Sequence, residues 1–407
     1  MPSLESKKTL DDSIDIMAED KIAAKLDARL LRSEWTTNPR PLPSSPSSPE
    51  VRLLEYHTDH MILVPWNVRT GWSTPALQSY GPIPIPPSAS ALHYATECFE
   101  GMKVYRGADG RLRLFRAREN CERMRRSATR VALPSFEAAE LEKLIIALCA
   151  HEAPKWLPKS EGESALYIRP TLIGTDTALA TVRPRSALLF IILAVFPRAT
   201  IPNPPRRVMK LLASSDDQIR AWPGGFGNCK VGANYGPGLP LHDEAKAQGC
   251  DQILWLFGPE RLVTEAGASN FFVVLKLDEK TWELVTPPLV DDGGSGLILP
   301  GITRASILEL ARERLQNAVA GAVDRVEISE RKLTMAGLSK AQIIEAFAVG
   351  TAVSVTSVNT IRHEGRDIRI NCEPVNGVLC SQILKDWLVG IMNGKEDHEW
   401  VTIIDEH

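Results

Sequence analysis

The chain has 407 residues, 44% hydrophobic and 24% charged, the proportions of a globular protein long enough for two domains. A net charge of −3 gives no electrostatic reason to expect nucleic acid or an anionic membrane as a partner. The longest apolar run, Ala187 to Phe196, is far short of a membrane span.

Residues 1–20 hold Glu5, Asp11, Asp12, Asp15, Glu19 and Asp20 against Lys7 and Lys8. A mitochondrial presequence is basic and acid-poor, and a secretory signal has an apolar centre. Seven cysteines without a CxxC pair, and no Asn-x-Ser/Thr acceptor, favour a reducing compartment. The cytoplasm is therefore the expected location. Residues 1–50 form a polar extension ending in the tract Pro41 to Pro49, which cannot bury enough apolar surface to fold alone.

A first domain is expected over 51–196. Its strands are Met61–Trp66, Met102–Arg106 and Arg111–Phe115, the last two flanking the hairpin signal Gly107-Ala108-Asp109-Gly110. Helical periodicity covers Arg118–Arg130 and Glu137–His151, and Ala187–Phe196 reads as a buried central strand. Four prolines between Pro197 and Pro205 make residues 197–206 a stiff linker. The second domain, 207–407, has a hairpin of Gln252–Phe257 and Arg261–Thr264 turned by Gly258-Pro259, and a strand at Phe271–Leu275. Helices are expected at Arg304–Ala318, Ser339–Ala346 and Gln382–Met392. Strands and helices intersperse without a regular βαβ repeat, which implies two α+β domains around mixed or antiparallel sheets.

The chemistry concentrates around Lys230. It lies in Gly224-Gly225-Phe226-Gly227-Asn228-Cys229-Lys230-Val231-Gly232-Ala233-Asn234-Tyr235-Gly236-Pro237-Gly238, where backbone can approach a bound molecule closely. A desolvated lysine has a lowered pKa and becomes a nucleophile or Schiff-base former. A nucleotide phosphate loop is excluded, because Gly does not precede this lysine and Ser or Thr does not follow it. Leu299-Pro300-Gly301-Ile302-Thr303-Arg304 places a Thr N-cap at a helix start, a ready anion site. Gly350-Thr351-Ala352 offers further N–H groups and a hydroxyl, although an ordinary turn would look the same. Glu265 is a carboxylate between apolar strands and needs a cationic partner if buried. Arg123 lies on a basic helix that could simply be a solvated face. An amine, a carboxylate for a cationic ring and three anion-binding features together match what pyridoxal 5′-phosphate requires.

The sequence resembles the branched-chain aminotransferases, of fold type IV among the pyridoxal-phosphate enzymes, a two-domain, D-amino-acid aminotransferase-like α+β (mixed α/β) architecture. The blocks carrying this are TDHM (58–61), HYATECFEGMKVYRG (93–107), LYIRPTLIGTD (166–176), the glycine-rich lysine loop, VTEAGASNFFVV (263–274), LILPGITRASILELAR (297–312) and AVGTA (348–352). The resemblance implies that Lys230 is catalytic and holds the cofactor as a Schiff base. It implies that Tyr235 bonds the phenolic oxygen and Glu265 the pyridine nitrogen. Arg123, the backbone of Ile302 and Thr303, and Thr351 would hold the phosphate, with no metal. Substrate contacts would fall on Tyr94, Phe99, Tyr167, Arg169 and Ala352, in a homodimer whose sites are each completed by a partner loop. The implied activity is amino transfer between leucine, isoleucine or valine and 2-oxoglutarate.

His57, Thr96, Phe226 and Ala268 depart from the residues usual in that family, in or beside blocks that shape the pocket. Substitutions there can re-aim specificity without touching the chemistry. A specialised enzyme for an unusual hydrophobic 2-oxo acid is therefore the alternative. D-amino-acid transamination, aminodeoxychorismate lyase chemistry and a non-catalytic binding protein rank below it. Val353 and Thr356 stand where some animal members carry a cysteine pair, so thiol switching is not expected there.

Overall fold

A computed structural model describes residues 23–198, 208–290, 296–352 and 354–406. The acidic segment 1–20, linker residues 199–206 and Val353 lie outside the described residues. Among the described residues, no helix is long and apolar enough to cross a membrane.

Two sheets organise the chain. The first is antiparallel over almost all its length and runs Arg32–Ser33, Ala76–Ser79, His60–Asn67, Ser186–Val195, Ser164–Gly174, Met102–Arg106, Leu112–Phe115, Val401–Ile404. The apolar run 187–196 is its central strand, Ser186–Val195, hydrogen-bonded on both edges. Alternate residues Leu189, Ile191 and Leu193 are fully buried against the helices Ala117–Arg130 and Ala138–Trp156, whose Met124, Leu141, Leu144 and Leu148 fill the same core. The hairpin at 107–110 forms as the sequence implies, with Gly110 at φ +74° in the left-handed region.

The second sheet mixes parallel and antiparallel pairs. It runs Leu262–Ala266, Gln252–Phe257, Val208–Ala213, Ser354–His363, Ile343–Gly350, Ser269–Lys276, Thr281–Thr286, Arg325–Glu330. Pairing of Glu265 with Asn270 and of Ala266 with Ser269 joins its first and sixth strands, closing six of them into a ring. The helices Ile302–Leu310 and Cys380–Met392 pack on Phe272 and Phe347, whose rings stack 5.3 Å apart.

One expected helix is a strand. Residues 339–346 divide between a short helix, Met335–Lys340, and the central strand Ile343–Gly350. Every residue from Ile344 to Val349 is buried, and when both faces of a segment are covered its apolar run carries no period to separate strand from helix. Glu345 accepts hydrogen bonds from the N–H groups of Cys380 (2.6 Å) and Ser381 (3.0 Å) at the start of the last helix. The sheets also cut across a simple division at 197–206. The strand Val401–Ile404 pairs with Leu112–Phe115 in the first sheet, and Arg32–Ser33 of the polar extension pairs with Ala76–Ser79.

Candidate active site

A cavity of about 560 Å³ opens between the two sheets, lined by Lys230, Tyr235, Glu265, Arg123 and the segments 299–303 and 349–352. The lysine loop is pinned on two sides. Lys230 N–H donates to Ser127 Oγ (2.9 Å) on the helix Ala117–Arg130, and Lys230 C=O accepts from Phe99 N–H (3.1 Å). Short 3₁₀ turns at Gly232–Asn234 and Gly236–Gly238 then bring Tyr235 back toward the lysine.

Lys230 Nζ lies 3.1 Å from the Tyr235 hydroxyl and 5.0 Å from the centre of the Phe99 ring. Burial, and next the Arg123 guanidinium, push its pKa below the ordinary lysine value. A neutral amine is thus reached at lower pH than in water. Burial also pushes the Tyr235 phenol up to about 12, so it stays a hydrogen-bond donor at neutral pH.

Glu265 is the penultimate residue of the strand Leu262–Ala266 and is 2% exposed. Its carboxylate is held by Arg220 (2.8 Å), Leu299 N–H (3.1 Å) and Asn270 Nδ2 (3.3 Å). Burial raises its pKa, and Arg220 works in the opposite direction. Arg220 is the cationic partner that the sequence required for Glu265 but did not identify. It also donates to the carbonyls of Gly227 and Leu297, tying the lysine loop to the strand that bears Glu265.

Arg123 is buried, not on a solvated face. It binds Glu100 through Nε (2.6 Å) and NH2 (2.8 Å), and Pro300 C=O through NH1 (2.9 Å). Three of its five N–H groups are used, which leaves two for a ligand. The helix over 302–310 begins with Gly301 as N-cap, in place of the expected Thr, and no side chain caps it. Its first N–H groups, on Ile302 and Thr303, have no partner within the helix.

Of the remaining candidates, Phe99, Tyr167, Arg169, Thr351 and Ala352 line the cavity. Arg169 lies over the Phe99 ring (4.7 Å) and donates to Tyr167 OH (3.0 Å). Tyr94 is elsewhere: it ends the helix Ser90–Tyr94, is 40% exposed, and donates its hydroxyl to Leu179 C=O. Among the four unusual residues only Ala268 reaches the cavity wall. His57 stacks on Tyr80, Thr96 bonds Ser90, and Phe226 packs edge-on against Trp222.

A second cluster of potential ligands, His60, His151 and Glu152, lies apart from this cavity. Thr36 N–H donates to His60 Nε2 (3.0 Å), so the ring proton sits on Nδ1 and bonds Glu152 (2.5 Å). Both ring nitrogens are engaged, which makes the cluster a hydrogen-bonded support.

Residues 97–361 match the family model described as amino-transferase class IV. The chain belongs to the class IV aminotransferases. It is 40% identical over 386 residues to a branched-chain-amino-acid aminotransferase of Monosiga brevicollis, covering 93% of each chain. A cytosolic branched-chain-amino-acid aminotransferase of Mus musculus is 41% identical, with 84% of this chain and 85% of that one covered. Among solved structures, the cofactor-bound branched-chain aminotransferase of Thermobaculum terrenum superposes with a TM-score of 0.63 at 25% identity, covering 85% of this chain and 98% of the other. The Escherichia coli branched-chain enzyme gives 0.61 at 26%, covering 80% and 95%.

The cofactor of this family is pyridoxal 5′-phosphate, and the residues present fit it. A reactive amine, a buried carboxylate and an uncapped helix start face one cavity. A Cβ on Gly301 would lie 2.0 Å from Asn270 Oδ1, so glycine keeps that helix start open.

Proposed function

We propose that the protein transfers the amino group of leucine, isoleucine and valine to 2-oxoglutarate, with Lys230 as its catalytic residue. One observation carries this reading: the Lys230 amine is buried, 3.1 Å from Tyr235 OH, in one cavity with the carboxylate of Glu265. The branched-chain aminotransferases that match most of the chain support the choice of substrates.

Each residue takes a role from its position. Lys230, Tyr235 and Glu265 would hold the cofactor, Lys230 through its amine, Tyr235 at the phenolic oxygen and Glu265 at the ring nitrogen. Arg123, the N–H groups of Ile302 and Thr303, and Thr351 hold the phosphate. Phe99, Tyr167 and Arg169 border the substrate, and the backbone at Thr351–Ala352 receives its α-carboxylate. When bound, the cofactor supplies an electron-withdrawing ring conjugated to the substrate Cα. Burial and Arg123 bias the Lys230 amine toward the neutral form, in which it could accept a proton once the substrate amine has taken its place. Lys230 would then move the proton to and from the substrate Cα, acting as general base and then general acid. Arg220 and Leu299 N–H hold the charge of Glu265 against its burial. 2-Oxoglutarate reverses the sequence.

The chain would work as two lobes, 51–196 and 207–407, joined at 197–206, with the strand Val401–Ile404 returned to the first, and as a homodimer. Leu92 (62% exposed), Tyr94 and Leu179 (63%) are exposed apolar side chains that would suit contact with a second copy, in which Tyr94 would border the partner's substrate. Seven free cysteines and the cytosolic mouse relative favour the cytoplasm. The assay is glutamate formation from each branched-chain amino acid. Lys230→Ala abolishes it, and mixing Lys230→Ala with Tyr94→Ala chains restores part of it, because one site in the mixed dimer is then intact. Full activity in Lys230→Ala contradicts the assignment.

A further inference from the structure

Glu97 is an acidic residue of the cavity that no role above uses. It starts the short strand Glu97–Phe99, which pairs with Ser164–Gly174 through Glu97↔Ile173 and Phe99↔Thr171. Residues two apart on a strand share a face, so Glu97 and Phe99 point the same way, and both line the cavity. The carboxyl group is held in place: a Cβ on Gly232 would lie 1.4 Å from its Oε1, so it fills the space beside the lysine loop.

Among the described residues no hydrogen bond or ion pair engages this carboxyl group. Burial pushes its pKa up, and the Arg169 charge pulls it the other way. Arg169 itself keeps a buried Nε without a partner. An acceptor on Glu97 and a donor on Arg169 are therefore both left without a partner among the residues that line the cavity with Phe99. A half-desolvated carboxyl group is costly beside a purely aliphatic ligand, whereas a ligand donor restores the lost hydrogen bond.

We propose that Glu97 is a specificity-determining residue that accepts a hydrogen bond from the substrate side chain, so that the site also takes amino acids carrying a hydroxyl or carboxamide. This rests on the transamination reading above. The substrate class is then small amino acids with a polar donor near the branch point, shaped like valine or leucine.

The test uses two near-isosteric pairs, L-valine with L-threonine and L-leucine with L-asparagine, and the holoenzyme with its Glu97→Leu variant. In the variant, kcat/KM for the aliphatic member of each pair rises. The polar-to-aliphatic ratio falls about 10- to 100-fold for at least one pair, the worth of a hydrogen bond to a charged group. Calorimetric Kd values for isovalerate and 3-hydroxybutyrate, which carry no amine, shift in the same sense. Glu97→Met, unbranched and of similar length, replaces the Leu variant if that does not fold. Ratios that stay the same in both pairs overturn the proposal and leave the branched-chain activity standing. A wild-type enzyme that turns over neither valine nor leucine overturns the transamination reading, and this proposal with it.

Discussion

Lys103 gives the sharpest stability prediction. It lies on the strand Met102–Arg106 and is 6% exposed, with Nζ donating to Ala352 C=O (3.0 Å) and standing 3.4 Å from the centre of the Phe196 ring. Among the described residues no carboxylate pairs with it. Burial lowers its pKa from the ordinary 10.5 to about 7. At 1.36 kcal/mol per pH unit, that interval corresponds to about 5 kcal/mol of cost for keeping the ammonium buried. Between pH 7 and 10.5 the unfolded chain binds a proton that the folded chain does not, so stability rises with pH across this window. Below pH 7 the cost is present in full. Lys103→Met removes the charge and keeps a flexible side chain against the Phe196 ring. The variant is therefore more stable than wild type at pH 6.5, by up to about 5 kcal/mol. The advantage shrinks as pH rises and turns into a deficit of about 1 kcal/mol near pH 10.5, where only the bond to Ala352 has been lost. Urea unfolding of both proteins at pH 6.5, 8 and 9.5 measures this. A difference that is constant with pH, or that grows as pH rises, refutes the reasoning.

Three further outcomes follow from buried charges. Glu100→Gln leaves Arg123 without its counter-charge and costs about 3–5 kcal/mol at pH 7, read by thermal melting. Burial opposes ionisation of Glu100, but Arg123 more than offsets it and holds the carboxyl below the ordinary 4.5. The stabilisation is thus present above pH 4.5 and fades as pH falls further, so the deficit of the variant narrows in acid. Glu345→Ala removes two charge-assisted bonds from the start of the last helix and costs about 2–4 kcal/mol in urea unfolding. Arg220→Met leaves Glu265 buried without its cation and raises its pKa further. Affinity for added cofactor falls at least tenfold, the worth of about 1.4 kcal/mol, in equilibrium dialysis of the apoprotein.

The lysine loop was legible as a glycine-rich stretch around one lysine. Close approach holds at Gly227 and Gly232, where a Cβ would meet Ala221 and Glu97, but not at Gly224 or Gly236, which face open space. Glu265 was legible as a carboxylate that apolar neighbours could not satisfy. Its partner Arg220 was not, because 45 residues separate them and the contact exists only after the ring of strands closes. Arg123 on a basic helix looked solvated until Glu100, 23 residues earlier, was seen to fold back onto it. The same limit hid Glu97: a strand of three residues has too few positions to show which face meets the cavity. Residues 343–346 failed for a different reason, since a segment covered on both faces loses the alternation that identifies a strand. Tyr94, Thr96 and Phe226 sit inside recognisable blocks, and His57 beside one, yet all four lie outside this cavity, because neighbours in sequence need not share a wall in space.

The central claim is that Lys230 is the catalytic residue of amino transfer from branched-chain substrates. The most direct measurement is the absorbance spectrum of purified holoenzyme before and after L-leucine, L-isoleucine or L-valine is added without 2-oxoglutarate. The account predicts that the visible band of the lysine-bound cofactor disappears, that the band of its amino form grows, and that one 2-oxo acid is released per site. A band unchanged by all three amino acids contradicts it.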